Sequence, residues 1–454
     1  MTNQIITFGC RLNIVESELI KQAVEKSSEE NLIVFNSCAV TSAAERDLRS
    51  AIRKAHKENP DAKIVVTGCA AQIDPAKYAA MVEVDLVLGN VEKSESSNYT
   101  ILGLNSENQT SSAVEKENTN QNPQIIHQDK LFKQSQNNLF DPNLTEKIRV
   151  NDIMSIKDTA EHMVLDFEGK SRAFVQIQNG CNHRCTFCII PYGRGNNRSV
   201  GFGQIVDQIK KLVAGGFKEV VLTGVDITDY GKDLFENLTL SQMVNRLLKL
   251  VPELPRLRLS SVDVAEIDDE MFEIIKNEPR FMPYFHISLQ SGDDMILKRM
   301  KRRHTRSQVL EFCRKVRNLR PEAAFGSDII AGFPTENDEM FLGSLNLIKE
   351  TGLVFNHIFP YSIREGTPAA KMPQVDGKIK KERAKLLRDA GDEELDKFLK
   401  TFVGTKQKVL LENGNIGRCE NFLQVKLLEI PENVNVGDIF EVKIFGCEDG
   451  KLLS

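Results

Sequence analysis

The sequence predicts an α/β protein with an N-terminal parallel α/β sheet domain, a central partial (β/α)6 barrel and a small C-terminal β-barrel. Two patterns carry this prediction. Short apolar strands alternate with amphipathic helices up to about residue 400, an order typical of parallel sheets with crossover helices. After that point only short strands of alternating polarity follow. The predicted segments are an N-terminal domain at 1–93, a linker at 94–160, the barrel at 167–400 and the β-barrel at 401–454.

Size and composition indicate a globular protein of the cytoplasm. The 454 residues are enough for two or three domains. No stretch approaches the ~18 consecutive apolar residues of a membrane span, and the first residues lack the basic and apolar segments of an export signal. The net charge of −5 gives no overall attraction to nucleic acid, so any RNA contact has to come from a local basic surface.

The N-terminal domain repeats one unit: an apolar strand, a loop that carries a cysteine, and a polar helix. Cys10, Cys38 and Cys69 each follow one of the strands. Because the carboxyl ends of parallel strands share one edge of a sheet, these three cysteines are expected to converge on one site. The predicted strands are 5–8, 32–35 and 64–67, and the helices between them are 13–24 and 41–57.

From about residue 94 to 145, within the predicted linker at 94–160, the composition changes to Asn, Gln, Ser, Glu and Lys. Such a segment offers too little apolar surface to offset the entropy of an ordered chain, so we expect a flexible linker.

The central region repeats a strand and a helix six times, as a partial (β/α)6 barrel requires, and such barrels keep their chemistry at the carboxyl ends of the strands. The predicted strands are 173–177, 220–222, 257–259, 285–289, 325–330 and 355–359, and the clearest helices are 203–214, 240–250 and 305–319. A charged helix at 378–399 precedes the tail strands at 408–411, 422–427 and 439–445.

Three cysteines lie close together directly after the first barrel strand. Cys181, Cys185 and Cys188 form a C-x3-C-x2-C spacing with the aromatic Phe187 before the last cysteine. Three thiolates on one short loop can bind three irons of a [4Fe-4S] cluster and leave the fourth iron open for S-adenosylmethionine (SAM). A zinc knuckle is the alternative, and it needs a fourth ligand such as His183. The odd total of nine cysteines argues against a disulfide framework, and Cys313, Cys419 and Cys447 are expected to be ordinary thiols.

This loop, GCNHRCTFCIIPYGRG at 180–195, resembles the core of the methylthiotransferases, a radical SAM family that inserts sulfur and a methyl group into C–H bonds. The resemblance covers nearly the whole chain, including a tail similar to the family's TRAM domain. The matching N-terminal motifs are TFGCRLN at 7–13, NSCAVT at 36–41 and VTGCA at 66–70. The matching barrel motifs are LTGVD at 222–226, SLQSG at 288–292 and DIIAGFPTE at 328–336.

The resemblance implies two [4Fe-4S] clusters and SAM as cofactors. One cluster belongs to Cys181, Cys185 and Cys188, and an auxiliary cluster to Cys10, Cys38 and Cys69, so that all six cysteines are expected to be catalytic. Residues near the strand ends are expected to line the SAM pocket, where glycine permits close backbone approach. These predicted residues are Phe187, Thr223, Gly224, Ser260, Ser261, Gln290, Gly332, Phe333 and Pro334. Arg194 and Arg198 are candidates for contacting a SAM carboxylate or a substrate phosphate.

The motifs most resemble the family branch that acts on N6-threonylcarbamoyladenosine at position 37 of tRNA and gives its 2-methylthio derivative. Branches that act on isopentenyladenosine in tRNA, or on an aspartate of a ribosomal protein, are alternatives, as is a non-catalytic iron-sulfur RNA-binding protein. The expected partners are tRNA and an electron donor such as flavodoxin or ferredoxin, and the protein is expected to be a monomer. The strongest basic cluster, a candidate surface for RNA phosphates, comprises residues 298–304 with Arg306, Arg314, Lys315, Arg317 and Arg320.

Overall fold

The chain forms two compact units in a computed structural model. The N-terminal unit is Met1–Ile153, and the barrel unit is Met154–Ser454. The barrel and the tail strands, which the sequence predicts as separate domains, therefore fall within one unit. The residues that the structure describes are 2–27, 29–100, 147–157, 163–165, 167 and 169–454.

The described residues of the N-terminal unit form a five-stranded parallel sheet in the order β1-β2-β3-β4-β5. The three predicted strands and their helices are confirmed, and two strands are added at one side. The strands are β1 Gln4–Thr7, β2 Leu32–Ser37, β3 Lys63–Gly68, β4 Leu86–Leu88 and β5 Ile148–Arg149. The helices are α1 Arg11–Ser27, α2 Ser42–Glu58, α3 Cys69–Ile73, α4 Pro75–Ala79 and α5 Ser97–Thr100.

Apolar periodicity explains how this sheet is held. β2 is buried along its whole length, as expected for a central parallel strand with both faces covered. On one face, Ile20 and Val24 of α1 pack against Val34 and Val65. Each such fully buried side chain contributes roughly 1.5–3 kcal/mol relative to an exposed one.

The predicted linker differs from the structure at both of its ends. Residues 97–100 form α5, and its Tyr99 is fully buried with its hydroxyl donating to the carbonyl of Lys93. Residues 148–149 form β5 and pair in parallel with β4. Within the remainder of the predicted linker, residues 101–146 and 158–160 lie outside the described residues.

Six parallel strands in two three-stranded groups form the partial barrel of the barrel unit, which confirms the predicted fold class. One group has the order β10-β9-β6, the other has β11-β12-β13, and a parallel bridge between Val262 and Ile287 links them. A short antiparallel pair, β7 with β8, follows the first strand. The strands are β6 Ala173–Gln176, β7 Gln178–Asn179, β8 Arg198–Ser199, β9 Glu219–Thr223, β10 Arg256–Leu259, β11 Tyr284–Gln290, β12 Ala324–Ala331 and β13 Leu353–Pro360.

Helices follow the barrel strands, and several begin with a side-chain cap. Thr239 and Thr305 each form a capping box with a glutamine three residues later, which satisfies backbone N–H groups at the start of the helix. The helices are α6 Ile190–Arg194, α7 Phe202–Ala214, α8 Leu240–Leu250, α9 Asp269–Asn277, α10 Asp294–Met300, α11 Arg306–Leu319, α12 Asp338–Thr351 and α13 Gly377–Lys400. Among the helices of the described residues, none has both the length and the apolar character needed to cross a membrane.

Residues 401–454, which we call the tail module, are described throughout and form a six-stranded sheet. Its order is β17-β14-β15-β16-β19-β18. Its core includes Val409, Cys419 and Val425, and it also contacts Leu399 at the end of α13. The strands are β14 Lys406–Leu411, β15 Ile416–Cys419, β16 Gln424–Lys426, β17 Ile439–Lys443, β18 Gly446–Glu448 and β19 Lys451–Leu453.

Candidate active site

The loop with Cys181, Cys185 and Cys188 lies between β7 and β8, at the carboxyl end of the first barrel strand. Gly180 introduces the loop with a φ of +70°, and a Cβ there would overlap the carbonyl oxygen of Asn196. Only glycine fits such a position without strain. The N–H of Cys181 donates to the carbonyl of Gly195 over 3.0 Å. Glycine at 180 therefore lets the two ends of the loop close on each other.

The sulfur atoms of this loop lie beside charged groups. The guanidinium Nη1 of Arg302 is 3.8 Å from Cys185 Sγ, and a carboxylate oxygen of Asp226 is 3.9 Å from Cys181 Sγ. Burial raises the pKa of Cys181 to about 12 and that of Cys188 to about 11. Bound iron would favour the thiolate forms, because its positive charge stabilises the negative sulfur that loss of water destabilises. The three thiols are free, so this donor set suits an iron-sulfur cluster.

His183, the possible fourth zinc ligand, is held on carboxylates. Its Nε2 lies 2.9 Å from Asp226 and 3.5 Å from Asp229. Cys181, His183 and Asp226 bring their ligand atoms within 4.8 Å of one another, a group that could hold a metal ion. This group uses one of the three loop cysteines, whereas an iron-sulfur cluster uses all three. The cysteine spacing therefore favours the cluster over zinc.

Arg194 and Arg198 brace the loop in the structure, and their contact with SAM or a phosphate stays a prediction. Both are nearly fully buried. Arg194 donates to the side-chain oxygen of Asn179, and Arg198 donates to the carbonyls of Arg194 and Asn196. Each guanidinium therefore satisfies loop oxygens instead of pointing to solvent.

Phe187 and Phe333, two of the predicted SAM-pocket residues, are in contact. Their rings meet edge to face, with 6.3 Å between centroids and 83° between planes. They belong to an apolar cluster with Met300 and Tyr361. Pro334 is buried beside them in the chain. The structure thus joins the last part of the cysteine loop to the end of β12.

The other predicted pocket residues lie at the carboxyl ends of β9 to β12, in the expected places. Thr223 and Ser260 are buried, and Ser261 is half-buried. A Cβ at Gly224 would lie 2.7 Å from the carbonyl oxygen of Gln178, so this glycine permits close packing against β7. Gln290 ends β11 with a φ of +70°. Their contact with SAM stays a prediction.

Gly332 is a partial exception among these residues. It has a φ of +70°, and a Cβ there would overlap the aliphatic side chain of Lys380 on α13. Its N–H donates to Glu336. In the structure, glycine at 332 therefore serves the packing of α13 against the end of β12.

Several members of the predicted basic cluster are paired within the protein, and the interpretation as an open phosphate-binding surface is wrong for Arg302 and His304. Arg302 donates to Asp263 over 2.9 Å and is nearly buried, and the His304 ring is fully buried beside the same carboxylate. Further out, Arg306 pairs with Glu350. Three more members are also bound: Lys315 to Glu311, Arg317 to the carbonyl of Thr351 and Arg320 to Glu322.

Asp263 is a residue that the sequence reasoning did not single out. Burial raises the pKa of its carboxyl, but the hydrogen bond with His304 and the charge of Arg302 outweigh burial and hold the pKa well below its usual range. Asp263 therefore stays ionised and fixes Arg302, which reaches Cys185. The available signal was its place directly after β10, in the segment RLSSVD at 258–263.

A second cysteine site lies in the N-terminal unit, at the carboxyl ends of β1, β2 and β3. Cys10 is exposed, whereas Cys38 and Cys69 are buried, and none of the three is in a disulfide. A Cβ at Gly9 would lie 2.8 Å from Cys38 Cβ, which places the first two cysteine loops side by side. Ser37 Oγ accepts from the N–H groups of Ala70 and Ala71, which ties the second loop to the third.

Asn13 holds this arrangement together, and the sequence reasoning did not single it out. Its amide donates to the carbonyls of Phe8 and Ser37, and its side-chain oxygen lies 3.4 Å from Cys10 Sγ. Three adjacent loops thus bring three cysteines, none of them in a disulfide, to one edge of a sheet. This donor set suits a single iron-sulfur cluster.

A partial (β/α)6 barrel with three free cysteines on the loop after its first strand defines a radical SAM protein. The family comparisons agree: residues 175–348 match the Radical SAM superfamily, and residues 2–89 match a family described as uncharacterized protein family UPF0004. Among solved structures, the fold is similar to the radical SAM methyltransferase TsrM of Kitasatospora setae, solved with cobalamin and a [4Fe-4S] cluster. The TM-score is 0.52 at 14% identity, over 82% of this chain and 74% of that chain.

Relatives that match over nearly the whole chain show which family of radical SAM proteins it belongs to. The chain is 54% identical to threonylcarbamoyladenosine tRNA methylthiotransferase MtaB of Rickettsia prowazekii, over 99% of this chain and 96% of the relative. It is 35% identical to the protein of that name in Aquifex aeolicus, over 92% and 95%. It is 30% identical to tRNA-2-methylthio-N(6)-dimethylallyladenosine synthase of Geobacillus kaustophilus, over 90% and 72%. The chain belongs to the radical SAM methylthiotransferase family.

Proposed function

We propose that this protein is a tRNA methylthiotransferase that converts N6-threonylcarbamoyladenosine at position 37 to its 2-methylthio derivative. The observation that carries the proposal is the 54% identity, over 99% of the chain, to a relative named for that nucleoside. The two cysteine sites agree with it, since the reaction requires both a radical and a sulfur atom.

The barrel unit holds the radical-generating site. Cys181, Cys185 and Cys188 would hold the cluster, and Arg302, fixed by Asp263, places a positive charge beside Cys185. A [4Fe-4S] cluster bound there would supply the electron that breaks the C5′–S bond of SAM and gives methionine and a 5′-deoxyadenosyl radical. The residues at the ends of β9 to β12 bind and orient SAM at this edge of the barrel.

The N-terminal unit holds the sulfur-transfer site. Cys10, Cys38 and Cys69 bind the auxiliary cluster, and Asn13 and Ser37 keep their loops together. Cys10 is exposed, so this site has an open side from which the sulfur can be transferred.

Partners and location follow from this reaction. The substrate is tRNA, and a small electron-transfer protein such as flavodoxin or ferredoxin reduces the radical SAM cluster. We place the protein in the cytoplasm, where tRNA and a reducing environment are found together, and we propose that it acts as a monomer.

Mass spectrometry of nucleosides from the tRNA of cells with and without the gene tests the proposal. We expect 2-methylthio-N6-threonylcarbamoyladenosine to disappear while its precursor accumulates. Loss of the dimethylallyl counterpart instead would reassign the substrate within the family. Unchanged tRNA would direct the search to a ribosomal protein. Purified enzyme with intact reduced clusters that does not cleave SAM would favour a non-catalytic role.

A further inference from the structure

Three polar side chains on neighbouring barrel strands form a cluster that is separate from the residues assigned to the two cysteine sites. His286 lies on β11, Asp328 on β12 and His357 on β13. One oxygen of Asp328 is 3.3 Å from His286 Nε2 and 3.1 Å from His357 Nδ1. The other ring nitrogen of His286 is 3.0 Å from the hydroxyl of Tyr284. We call these three residues, His286, Asp328 and His357, the His-Asp-His cluster.

The cluster faces the inside of the barrel. Side chains alternate between the two faces of a strand. Phe285 of β11 packs against Phe312 of α11, so odd-numbered residues of this strand point to the helices. His286 therefore points to the opposite, concave face, where it meets Asp328. A Cβ at Gly326, next to His286 in register, would lie 2.8 Å from its ring, so the absence of a side chain there makes room for the imidazole.

The residues of β11 show how far the His-Asp-His cluster lies from the cysteine loop along the barrel. Arg302 contacts both Cys185 Sγ and the carbonyl of Ser288, which puts Ser288 at the level of the cysteine loop. His286 is two residues nearer the amino end, about 7 Å deeper at roughly 3.3 Å per residue. Two residues deeper again, Tyr284 is stacked on Phe422. Along β11, the His-Asp-His cluster thus lies between the level of the cysteine loop and the stacked rings of Tyr284 and Phe422.

A ligand can reach this cluster. The side chain of His357 is 62% exposed and that of Asp328 is 33% exposed. β13 ends the order of its sheet, so His357 lies beside the side at which the partial barrel is open. His286, by contrast, is buried and held by Tyr284. The two accessible members, His357 and Asp328, are therefore backed by a buried histidine whose ring is held in place.

The cluster offers both hydrogen-bond donors and an acceptor. Burial raises the pKa of Asp328, but hydrogen bonds from His286 and His357 outweigh it and hold the pKa well below its usual range. The carboxylate is therefore a charged acceptor, and the two imidazoles are donors or acceptors according to their tautomer. A threonylcarbamoyl group carries ureido N–H groups, a hydroxyl and a carboxylate. A dimethylallyl group carries none of these.

We propose that the His-Asp-His cluster binds the threonylcarbamoyl group of the target adenosine and selects it against apolar N6 substituents. The inference rests on the proposed function and deepens it. Relatives of this chain are named for each of the two substituents, so the shared chemistry does not decide between them. A polar site from which the bound substrate excludes water disfavours a substituent that leaves its groups unpaired, and this selection reaches 10⁴-fold or more where the site is built to hydrogen-bond the substrate.

The test is a ratio measured within each variant. Anticodon stem-loop RNAs that carry threonylcarbamoyladenosine or dimethylallyladenosine at position 37 are compared by kcat/KM for methylthiolation. Any loss of iron or of SAM cleavage affects both RNAs equally and cancels in the ratio. We expect His357→Leu and Asp328→Asn to lower the preference for threonylcarbamoyladenosine at least tenfold, mainly through KM. His56→Leu on α2 is the matched control and should keep the wild-type ratio.

The results that would overturn the inference differ from the result that would refute the proposed function. Unchanged ratios in both variants would overturn the inference while leaving the proposed function intact. Failure of the wild-type enzyme to methylthiolate the threonylcarbamoyl RNA would refute the proposed function itself. The three ligand atoms also lie close enough to hold a metal ion. Zinc or manganese bound in proportion to the wild-type chain, and lost in His357→Leu, would overturn the inference because the cluster would then be a metal site.

Discussion

The ring of Phe422 is stacked on the ring of Tyr284, with 4.6 Å between centroids and 14° between planes. Phe422 belongs to the tail module and Tyr284 to β11, so this pair joins the module to the base of the barrel. The guanidinium of Arg418 lies 4.3 Å from the centre of the Phe422 ring. Nearby, the buried Arg258 pairs with Glu219 and donates to the carbonyl of Glu420. The tail module is therefore part of the barrel's structure.

We expect Phe422→Ala to destabilise the barrel unit. The substitution removes an aromatic stack and leaves space beside Tyr284, a loss of about 2–4 kcal/mol in the free energy of unfolding. Thermal unfolding followed by circular dichroism measures it. Phe445→Ala in the same module is the control, because Phe445 is 56% exposed, and it should shift the midpoint little. Equal shifts for the two variants would show that the stack does not support the barrel.

The parts of the fold that the sequence predicted best depend on local patterns. The apolar run of β2 and the single apolar face of α1 distinguish a strand from a helix in the sequence. The alternating order of such strands and helices implies a parallel sheet. The convergence of Cys10, Cys38 and Cys69 followed from that topology alone. The short strands of the tail module were harder: β18 and β19 span three residues each, and β19 joins the sheet by pairing with β16, more than twenty residues earlier.

The basic cluster shows why part of the site was mispredicted. α10 ends at Met300, and Lys301 adopts a left-handed conformation with φ of +59°. This turn directs Arg302 and His304 inward to Asp263, about forty positions earlier in the chain. A count of charges along the sequence does not contain such long-range pairs. For the same reason, the His-Asp-His cluster joins residues from three strands that no local motif connects.

Gly180 gives a test of the cysteine loop. We expect Gly180→Ala to lower the iron content of the purified protein by up to half, because a Cβ would overlap Asn196 and the φ of +70° disfavours alanine. Gly203→Ala is the matched control: Gly203 lies in α7 with open space around it, so alanine should be neutral or slightly stabilising. Full iron content in Gly180→Ala would mean that the loop adapts more easily than the structure indicates.

Alkylation by iodoacetamide at pH 8 separates structural cysteines from cluster ligands. Burial raises the pKa of Cys313 and of Cys419 to about 12, so roughly one thiol in ten thousand is ionised at this pH. We expect both to stay unmodified in the folded protein, with or without iron. Cys10 is exposed and should react only after iron is removed. Peptide mass spectrometry measures each site, and unfolded protein provides the fully labelled reference. If Cys10 were labelled to the same extent in the iron-loaded and the iron-free protein, it would be excluded as a cluster ligand.

Substituting one cysteine from each site should separate the two halves of the reaction. We expect Cys185→Ala to lose about half of the iron and all release of 5′-deoxyadenosine, because the cluster that reduces SAM is gone. Cys38→Ala should also lose about half of the iron, but it should still cleave SAM and fail to methylthiolate tRNA. Cys447→Ala, at a half-buried thiol of the tail module, is the control and should retain both activities. Product formation by Cys38→Ala would refute the sulfur-transfer role of the N-terminal unit, because the radical SAM site alone would then suffice for the whole reaction.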